Sequence, residues 1–330
     1  MKKPFIEIVC NHYSNLEVFI ATYNRADMLQ EALCSICVQT AKGFKIKILD
    51  NCSTDHTKDV VEKIKKRYLQ REIEFIGNDE NTGPSGNFLR AQKLASAEYV
   101  MVFHDDDIMH PRYIEAAMEI ILRQKDVSVV IGACKDFHDE QSKIFDCVPS
   151  NDVFLCGAQG LITTLLMRTF NFGSIIYRTD YFKNTISRND IFGIVADKPF
   201  VIDAIKDGKA ALFKDPYVLY RIHSEQDSNI GQTADFMEHL LSLVDYYREK
   251  LEPCNGKVNH IMCRLCVCAY VMILYRWGGL RRTISKSDFI ALAVKRGAIR
   301  RFDAFVWRRI INKIGFLKKL YKNRLEKICH

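Results

Sequence analysis

Residues 99–107 read Tyr-Val-Met-Val-Phe-His-Asp-Asp-Asp, and this stretch decides the fold class. The apolar run from Tyr99 to Phe103 has the length and composition of a buried strand. It stops abruptly at His104 and three consecutive aspartates, Asp105 to Asp107. In open α/β sheets, ligands bind beyond the carboxyl ends of the strands. The stretch therefore predicts a strand that carries functional side chains at its end.

Three strand-loop-helix units precede this stretch. Their predicted strands cover residues 16–20, 45–49 and 73–76, and their predicted helices cover 28–38, 60–68 and 88–95. Strands that alternate with helices indicate an α/β fold with a mostly parallel sheet and helices on both faces. The four strand ends then meet at one edge, and the polar residues that follow them are 22–25, 50–55, 78–87 and 105–107.

After Pro111 the alternation continues with shorter elements. The predicted elements are a helix to Arg123, a strand at 127–131, a less regular region from about 135 to 160, a strand at 173–177, a helix at 195–206 and a strand at 210–213. From about residue 236 onward the pattern is only helical. We therefore predict one domain over residues 1–235, made of two halves of about 1–110 and about 111–235, followed by a helical appendage over 236–330.

The composition is that of an ordinary folded protein, with 48% hydrophobic and 27% charged residues in a chain of 330. Its 12 cysteines are scattered through apolar runs, which predicts reduced, buried thiols rather than a disulfide framework. No signal-peptide pattern precedes the first predicted strand, so a cytoplasmic location is expected.

The three aspartates would repel one another strongly on a buried strand end unless a cation or several donors lay nearby. Mg²⁺ or Mn²⁺ is suited to such a place, because these ions bind through one or two carboxylates and complete their shell with phosphate oxygens and water. The residues alone leave an alternative open, in which the acidic turn merely stabilises the start of the helix after Pro111.

Four stretches, taken together and in this order, resemble glycosyltransferase family 2, the inverting enzymes with the GT-A fold. They are Phe-Ile-Ala-Thr-Tyr-Asn-Arg at 19–25, Ile-Leu-Asp-Asn-Cys-Ser-Thr-Asp at 48–55, Asn-Thr-Gly at 81–83 with Asn87, and Val-Met-Val-Phe-His-Asp-Asp-Asp at 100–107 before Pro111. The resemblance covers about residues 16–225. The chain departs from the family pattern at Ala21, Cys52 and His104, where Pro, Gly and an acidic residue are usual, and at Ser85-Gly86, which lacks the usual Arg.

The resemblance implies a nucleotide-sugar site at this edge of the sheet. The implied donor-binding residues are Thr22, Tyr23, Asn24, Arg25, Asp50, Ser53, Asn81, Gly83, Asn87 and Asp105, to which Arg221 is added because a guanidinium matches phosphate oxygens. Asp50 would accept the imide N–H of uracil, which cytosine lacks, and so favour a UDP-sugar.

The resemblance also implies the reacting groups. Asp106, Asp107 and His223 would hold Mn²⁺ or Mg²⁺, which neutralises charge on the departing diphosphate. Asp197 would be the general base that deprotonates the acceptor hydroxyl, and its position at a helix start is compatible with a simple capping role as well. The acceptor would be a saccharide or a lipid-linked saccharide.

The last 70 residues are strongly basic, with 17 Lys or Arg and three acidic residues at 261–330. In 280–330 the basic residues are interleaved with aromatic and aliphatic ones, which suits an amphipathic helix on an anionic membrane surface, at the inner face of the cell membrane. A solvated basic face packed on the catalytic domain is the alternative. Cys263, Cys266 and Cys268 lack the second pair that a zinc site needs. No nucleic-acid module is recognised, so no nucleic-acid partner is expected.

The sequence thus predicts an inverting glycosyltransferase that moves a sugar from a nucleotide diphosphate to an acceptor hydroxyl. A nucleotidyltransferase could use a similar sheet, but would normally carry a Gly-rich basic loop directly after the first strand, and residues 22–27 do not form one. A third alternative is a non-catalytic nucleotide-binding or sugar-binding protein at the membrane surface.

Overall fold

The computed structural model describes residues 12–138, 145, 148–165, 170–224, 226, 234–251, 291 and 294–295. The predicted basic membrane segment 280–330 and the cysteines of the 260s lie almost entirely outside this part of the chain. Among the described residues, no helix is long and apolar enough to cross a membrane.

The elements follow one another in α/β alternation over the first 125 residues. The strands are β1 Leu16–Thr22, β2 Lys45–Asp50, β3 Glu72–Gly77, β4 Tyr99–His104, β5 Ile108–Met109, β6 Val127–Phe137, β7 Val153–Cys156, β8 Ile175–Arg178 and β9 Lys209–Arg221. The helices are α1 Ala26–Cys37, α2 Thr57–Arg67, α3 Gly83–Leu94, α4 Tyr113–Arg123, α5 Ala158–Leu165, α6 Thr179–Asn184, α7 Asn189–Phe192, α8 Asp197–Ile205 and α9 Ala234–Leu251. Short 3₁₀ turns lie at Phe172–Ser174 and Gly193–Val195.

The chain divides into two compact units. The first consists of residues 1–153, 171–184 and 211–222, and the second of residues 154–170, 185–210 and 223–330. The sequence predicts a single boundary at residue 235, whereas each of these units consists of three separate segments of the chain.

The first unit is built on a sheet whose strand order runs β3-β2-β1-β4-β8-β6-β9-β5. Strands β3, β2, β1 and β4 are mutually parallel, while β4 with β8, β8 with β6, and β9 with β5 pair antiparallel. The register sets Thr22 opposite Asp50, and Ala21 opposite His104. Three parallel strands therefore end level with one another.

The core of this unit follows from the hydrophobic pattern of its central strand. Val18, Phe19 and Ile20 of β1 are fully buried, as expected for a strand covered on both faces. Helix α1 buries Leu29, Leu33 and Ile36, which recur at helical spacing and form one face. Burial of each such side chain contributes about 1.5 to 3 kcal/mol to folding, so α1 is held firmly in place.

Two elements differ from the prediction. Helix α3 begins at Gly83 rather than at residue 88, because the side chain of Asn81 accepts the Gly83 N–H at 2.8 Å and Pro84 suits a first helical turn. Strand β9 continues to Arg221 rather than ending at residue 213, because its last residues pair with β5, which the sequence pattern missed.

The second unit joins its helices around Asp203 of α8. This carboxylate accepts the Tyr246 hydroxyl of α9 at 2.7 Å and pairs with Lys250 at 3.0 Å and with Arg188. Gly193 has a positive φ of 50°, and a Cβ added there would lie 2.2 Å from the His239 ring. Only glycine therefore fits beneath α9 at this turn.

Candidate active site

The candidate site of the first unit lies at the carboxyl ends of β1, β2 and β4. The loops that follow these strands carry most of the predicted donor residues, and the level strand ends bring these loops side by side. The convergence expected from the alternation of strands and helices is therefore present in the structure.

Arg25 joins the first two aspartates after β4. Its Nη1 lies 3.3 Å from Asp105 Oδ1 and 3.4 Å from Asp106 Oδ2. Burial, reinforced by the negative charge of Asp106, raises the pKa of Asp105 to about 6, although Arg25 opposes the shift. Arg25 thus compensates the buried Asp105 incompletely, which makes this point receptive to a further cation.

Asp107 has a different environment from its two neighbours. Its side chain is fully buried, with Oδ2 accepting from the Asn171 amide and Oδ1 accepting the Arg221 backbone N–H at 3.0 Å. His104 Nδ1 lies 3.3 Å from the same carboxylate. Protein donors thus reach both oxygens of Asp107, and its predicted metal ligation stays a prediction.

His104 stands at the end of β4, where the sequence comparison noted a departure from the family pattern. His104, Asp106 and Asp107 each offer a ligand atom, and these atoms lie within 4.8 Å of one another, so the group could hold a divalent ion. Burial lowers the pKa of His104, but the hydrogen bond to Asp107 and the charges of the three aspartates outweigh it and raise the pKa to about 9. His104 must therefore lose a proton to act as a ligand. The sequence signal for its role was its position beside the acidic run.

Arg221, predicted to contact the diphosphate, is packed against the aspartate run. Its side chain is 3% exposed; Nε donates to the Asp106 carbonyl at 2.7 Å, and Nη2 lies 2.5 Å from Glu31 Oε2. The guanidinium carbon also lies 4.8 Å from the Phe137 ring centroid. These contacts hold the guanidinium against the backbone of the aspartates, and the predicted diphosphate contact stays a prediction.

Asp50 lies at the end of β2 and is 6% exposed. Its Oδ2 accepts the Ser53 N–H at 3.1 Å, while its Oδ1 is buried without a hydrogen-bond partner among the described residues. A buried carboxylate oxygen left in this way costs stability unless a ligand donor reaches it.

The loops after β1 and β2 are tied together by Asn24. Its backbone N–H donates to Ser53 Oγ at 2.9 Å, and its side chain accepts the Thr54 N–H at 2.7 Å. Asn24 has a positive φ of 51°, a conformation that asparagine tolerates better than most residues. Tyr23 beside it is 42% exposed, whereas Thr22 is buried.

Asn51 organises the loop before α3, a role that sequence reasoning missed. It is 3% exposed; its side chain donates to Asn81 Oδ1 at 2.7 Å and accepts from the Asn78 amide at 2.9 Å and from the Thr82 N–H at 3.0 Å. The predicted residues Asn81 and Gly83 are thus held by Asn51. Asn87 is buried in α3 and donates to the Leu49 carbonyl at 2.8 Å.

Asp197 and His223 belong to the second unit. Asp197 is the first residue of α8, is half-buried and accepts the N–H of Lys198 at 2.9 Å. His223 is half-buried and follows β9. Their predicted roles as general base and metal ligand stay predictions.

The sequence matches a known family model over part of its length. The model named "Glycosyl transferase family 2" matches residues 17–156, which contain β1 except for its first residue, the whole of β2 to β4 and the aspartate run. Residues 17–156 belong to glycosyl transferase family 2. The resemblance stated from the sequence is thereby confirmed for this part of the chain, and the family is one of enzymes.

Two curated relatives match over shorter stretches. The abequosyltransferase RfbV of Salmonella typhimurium is 37% identical over 27% of this chain and 27% of its own length. The GalNAc(5)-diNAcBac-PP-undecaprenol beta-1,3-glucosyltransferase of Campylobacter jejuni is 36% identical over 28% of this chain and 29% of its own length. The chain thus spans less than a third of either relative in these matches.

A solved structure confirms the fold class. Residues 1–349 of Staphylococcus aureus TarS, in complex with UDP-GlcNAc, superpose with a TM-score of 0.58 at 18% identity, over 80% of this chain and 74% of that chain. The family 2 domain therefore has the predicted GT-A fold.

Proposed function

We propose that the chain is an inverting glycosyltransferase that moves a sugar from a nucleotide diphosphate, most consistent with a UDP-sugar, to a hydroxyl of a saccharide or lipid-linked saccharide. The observation that carries this proposal is the buried pair Asp105 and Asp106, bridged by Arg25 at the strand ends of a family 2 domain.

The donor set fits a hard divalent ion, Mn²⁺ or Mg²⁺, because the two carboxylates are compensated incompletely. Asp106, with His104 beside it, would hold the ion. When bound, such an ion neutralises charge on the departing diphosphate. Arg25, whose guanidinium lies against both aspartates, would contact a phosphate oxygen there.

The choice of UDP rests on Asp50. Its unpartnered Oδ1 matches the imide N–H that uracil presents, and the Asn24 and Ser53 contacts fix the loops on either side of it. The similarity in fold to a protein solved with UDP-GlcNAc is in keeping with this choice.

Asp197 is the proposed base. It would take the proton of the acceptor hydroxyl while that oxygen bonds to the anomeric carbon and the bond from carbon to the diphosphate oxygen breaks. A single displacement of this kind inverts the configuration. The name of the Campylobacter relative includes a polyprenol diphosphate, which supports a lipid-linked acceptor, and the basic composition of 280–330 would suit docking at an anionic inner membrane face.

The test is transfer and hydrolysis with a panel of nucleotide sugars, in Mn²⁺, in Mg²⁺ and in EDTA. The parent protein is compared with Asp106→Ala and Asp197→Ala, and with Asp59→Ala, which removes an exposed aspartate of α2. We expect metal-dependent release of UDP from one donor, abolished by the first two substitutions and unchanged by the third.

Asp197→Ala should retain nucleotide binding, because a base acts on the acceptor, whereas Asp106→Ala should lose metal-dependent binding. A folded parent protein that binds no nucleotide sugar and turns none over with saccharide and polyprenol-linked acceptors would refute the proposal.

A further inference from the structure

We propose that Glu31, on helix α1, is a positioning residue that fixes the metal-binding aspartates through Arg221. The inference rests on the proposed function and extends it to a residue that lies outside every motif stretch of the chain. Glu31 and Arg221 are 190 positions apart in sequence, and the fold of the first unit brings them together.

Arg221 holds the aspartate run at two points. Its Nε donates to the Asp106 backbone carbonyl at 2.7 Å, and its backbone N–H donates to Asp107 Oδ1 at 3.0 Å. A displacement of Arg221 would therefore act on two consecutive residues of the run. The direction of the Asp106 side chain depends on the backbone that Arg221 holds.

Glu31 in turn fixes the guanidinium of Arg221. Its Oε2 lies 2.5 Å from Nη2, and the Arg221 side chain is 3% exposed. A buried cation needs an anionic partner nearby, since removal of one member of a buried pair leaves the other poorly compensated. Without Glu31 the guanidinium loses this partner, and we expect its contact with the Asp106 carbonyl to be disturbed.

Such a disturbance would shift the backbone that directs the Asp106 side chain, the proposed metal ligand. Metal sites generally depend on groups that hydrogen-bond to the metal ligands and orient them. Removal of such a group typically weakens metal affinity about 10- to 100-fold. Glu31 is suited to this role because its side chain is 35% exposed, so it does not itself belong to the core.

Truncation of Glu31 should lower the free energy of unfolding, because Arg221 loses a partner, but it should not open a cavity in the core. The residue lines an open groove of about 640 Å³, whose other walls include Ser35, Met109 and Pro111. Loss of its side chain enlarges a solvent-accessible groove instead of creating a closed cavity. Folding and function can therefore be separated experimentally.

The experiment measures Mn²⁺ affinity by calorimetric titration in the presence of UDP, and UDP affinity in EDTA, for the full chain. Glu31→Ala should weaken Mn²⁺ binding about 10- to 100-fold and leave UDP binding in EDTA unchanged. Glu31→Gln, which keeps the shape and one acceptor, should give a smaller loss. Glu62→Ala, on the exposed face of α2, is the matched control and should behave as the parent.

The outcomes separate the two proposals. If the parent itself shows no Mn²⁺-dependent UDP binding, the proposed function fails. If the parent shows it and Glu31→Ala binds Mn²⁺ equally well, the positioning role is wrong while the function stands. A loss of UDP binding in EDTA together with a lower melting temperature would also overturn the positioning role, in favour of a general part in folding.

Discussion

Two buried carboxylates at opposite ends of the parallel strands show how differently the same chemical group can be used. Glu17, near the start of β1, is 2% exposed and accepts from Lys47 Nζ at 2.8 Å, from Ser96 at 2.7 and 2.8 Å, and from the Ala97 N–H at 3.1 Å. Asp105, after the end of β4, is 4% exposed and shares the single guanidinium of Arg25 with Asp106.

The pKa values of the two groups express this difference. Burial raises the pKa of a carboxyl group in both places, but at Glu17 the four donor groups outweigh burial and lower the pKa to about 2. At Asp105, burial and the charge of Asp106 prevail and raise the pKa to about 6. A fully compensated charge stabilises the fold, whereas an incompletely compensated one is available to a ligand.

Asp106→Asn should produce the largest effect and separate activity from stability. We expect transfer activity to fall about 100-fold or more, which corresponds to about 3 kcal/mol of transition-state stabilisation. The free energy of unfolding of the metal-free protein should stay equal or rise, because the substitution relieves repulsion with Asp105. Activity assays and urea unfolding on the same preparations test this. A variant that is both inactive and clearly less stable would contradict the comparison.

Glu17→Gln should show the reverse pattern. Removal of its charge leaves Lys47, whose side chain is only 14% exposed, without its anionic partner, and we expect a loss of about 2 to 3 kcal/mol in the free energy of unfolding. Activity per folded molecule should be unchanged. Chemical unfolding and transfer assays are the measurements, with Glu72→Gln as a control, since Glu72 forms an exposed pair with Lys45. Equal losses in both variants would show that burial of the pair is unimportant.

The two carboxyl groups should give opposite pH dependences of stability. The raised pKa of Asp105 means that the folded protein holds this proton more tightly than the unfolded chain, so its ionisation destabilises the metal-free fold as pH rises from about 4 to 6. The lowered pKa of Glu17 means that its stabilisation is present above about pH 4.5 and is lost as pH falls toward 2.

The free energy of unfolding of the parent should fall by about 2 kcal/mol between pH 4.5 and 7, and Asp105→Asn should remove this fall. Urea unfolding of the parent and the variant at these two pH values gives the difference, in EDTA to exclude metal binding. Asp59→Asn, which changes an exposed residue of α2, should leave the pH dependence of the free energy of unfolding unchanged. An identical slope in the parent and Asp105→Asn would show that Asp105 is well compensated after all.

Cys52→Gly should produce the smallest effect. Cys52 lies in the loop after Asp50 and has a positive φ of 67°. A residue with a Cβ is strained in this backbone conformation, whereas glycine is not. We expect a gain of up to about 1 kcal/mol in the free energy of unfolding. Cys34→Gly, in the middle of α1, should instead lose about 1 kcal/mol, because glycine is unfavourable inside a helix. A loss in both variants would refute the assignment of strain to the site loop.

The part of the fold that could be predicted is the part whose signals are local. The strands that end at Thr22, Asp50 and His104 are apolar runs followed at once by polar loops, so their type and their common edge could be read from neighbouring residues. Most of the predicted donor residues follow those strands directly, so their placement at this edge could be predicted for the same reason.

The parts of the fold and of the site that could not be predicted depend on contacts between residues far apart in the chain. Strand β5 has two residues and exists because β9 pairs with it about 110 positions later. The contacts of Asp107 with Asn171, and of Arg221 with Glu31, likewise join residues far apart in the chain. No periodicity of a single segment encodes such contacts, so the positions of Arg221 and Asp107 behind the site could not be predicted from it.

The placement of β1 between β2 and β4 has a consequence for synthesis on the ribosome. Strand β2 follows β1 closely, but Leu16 pairs with Tyr99, which is translated 83 positions later. One edge of the buried strand β1 thus has no native partner until β4 has emerged, and an unpaired strand edge invites misassembly. We expect nascent chains arrested before β4 to be sensitive to protease and chains arrested well beyond it to be protected, so that the aspartate run emerges just as β1 gains its second neighbour.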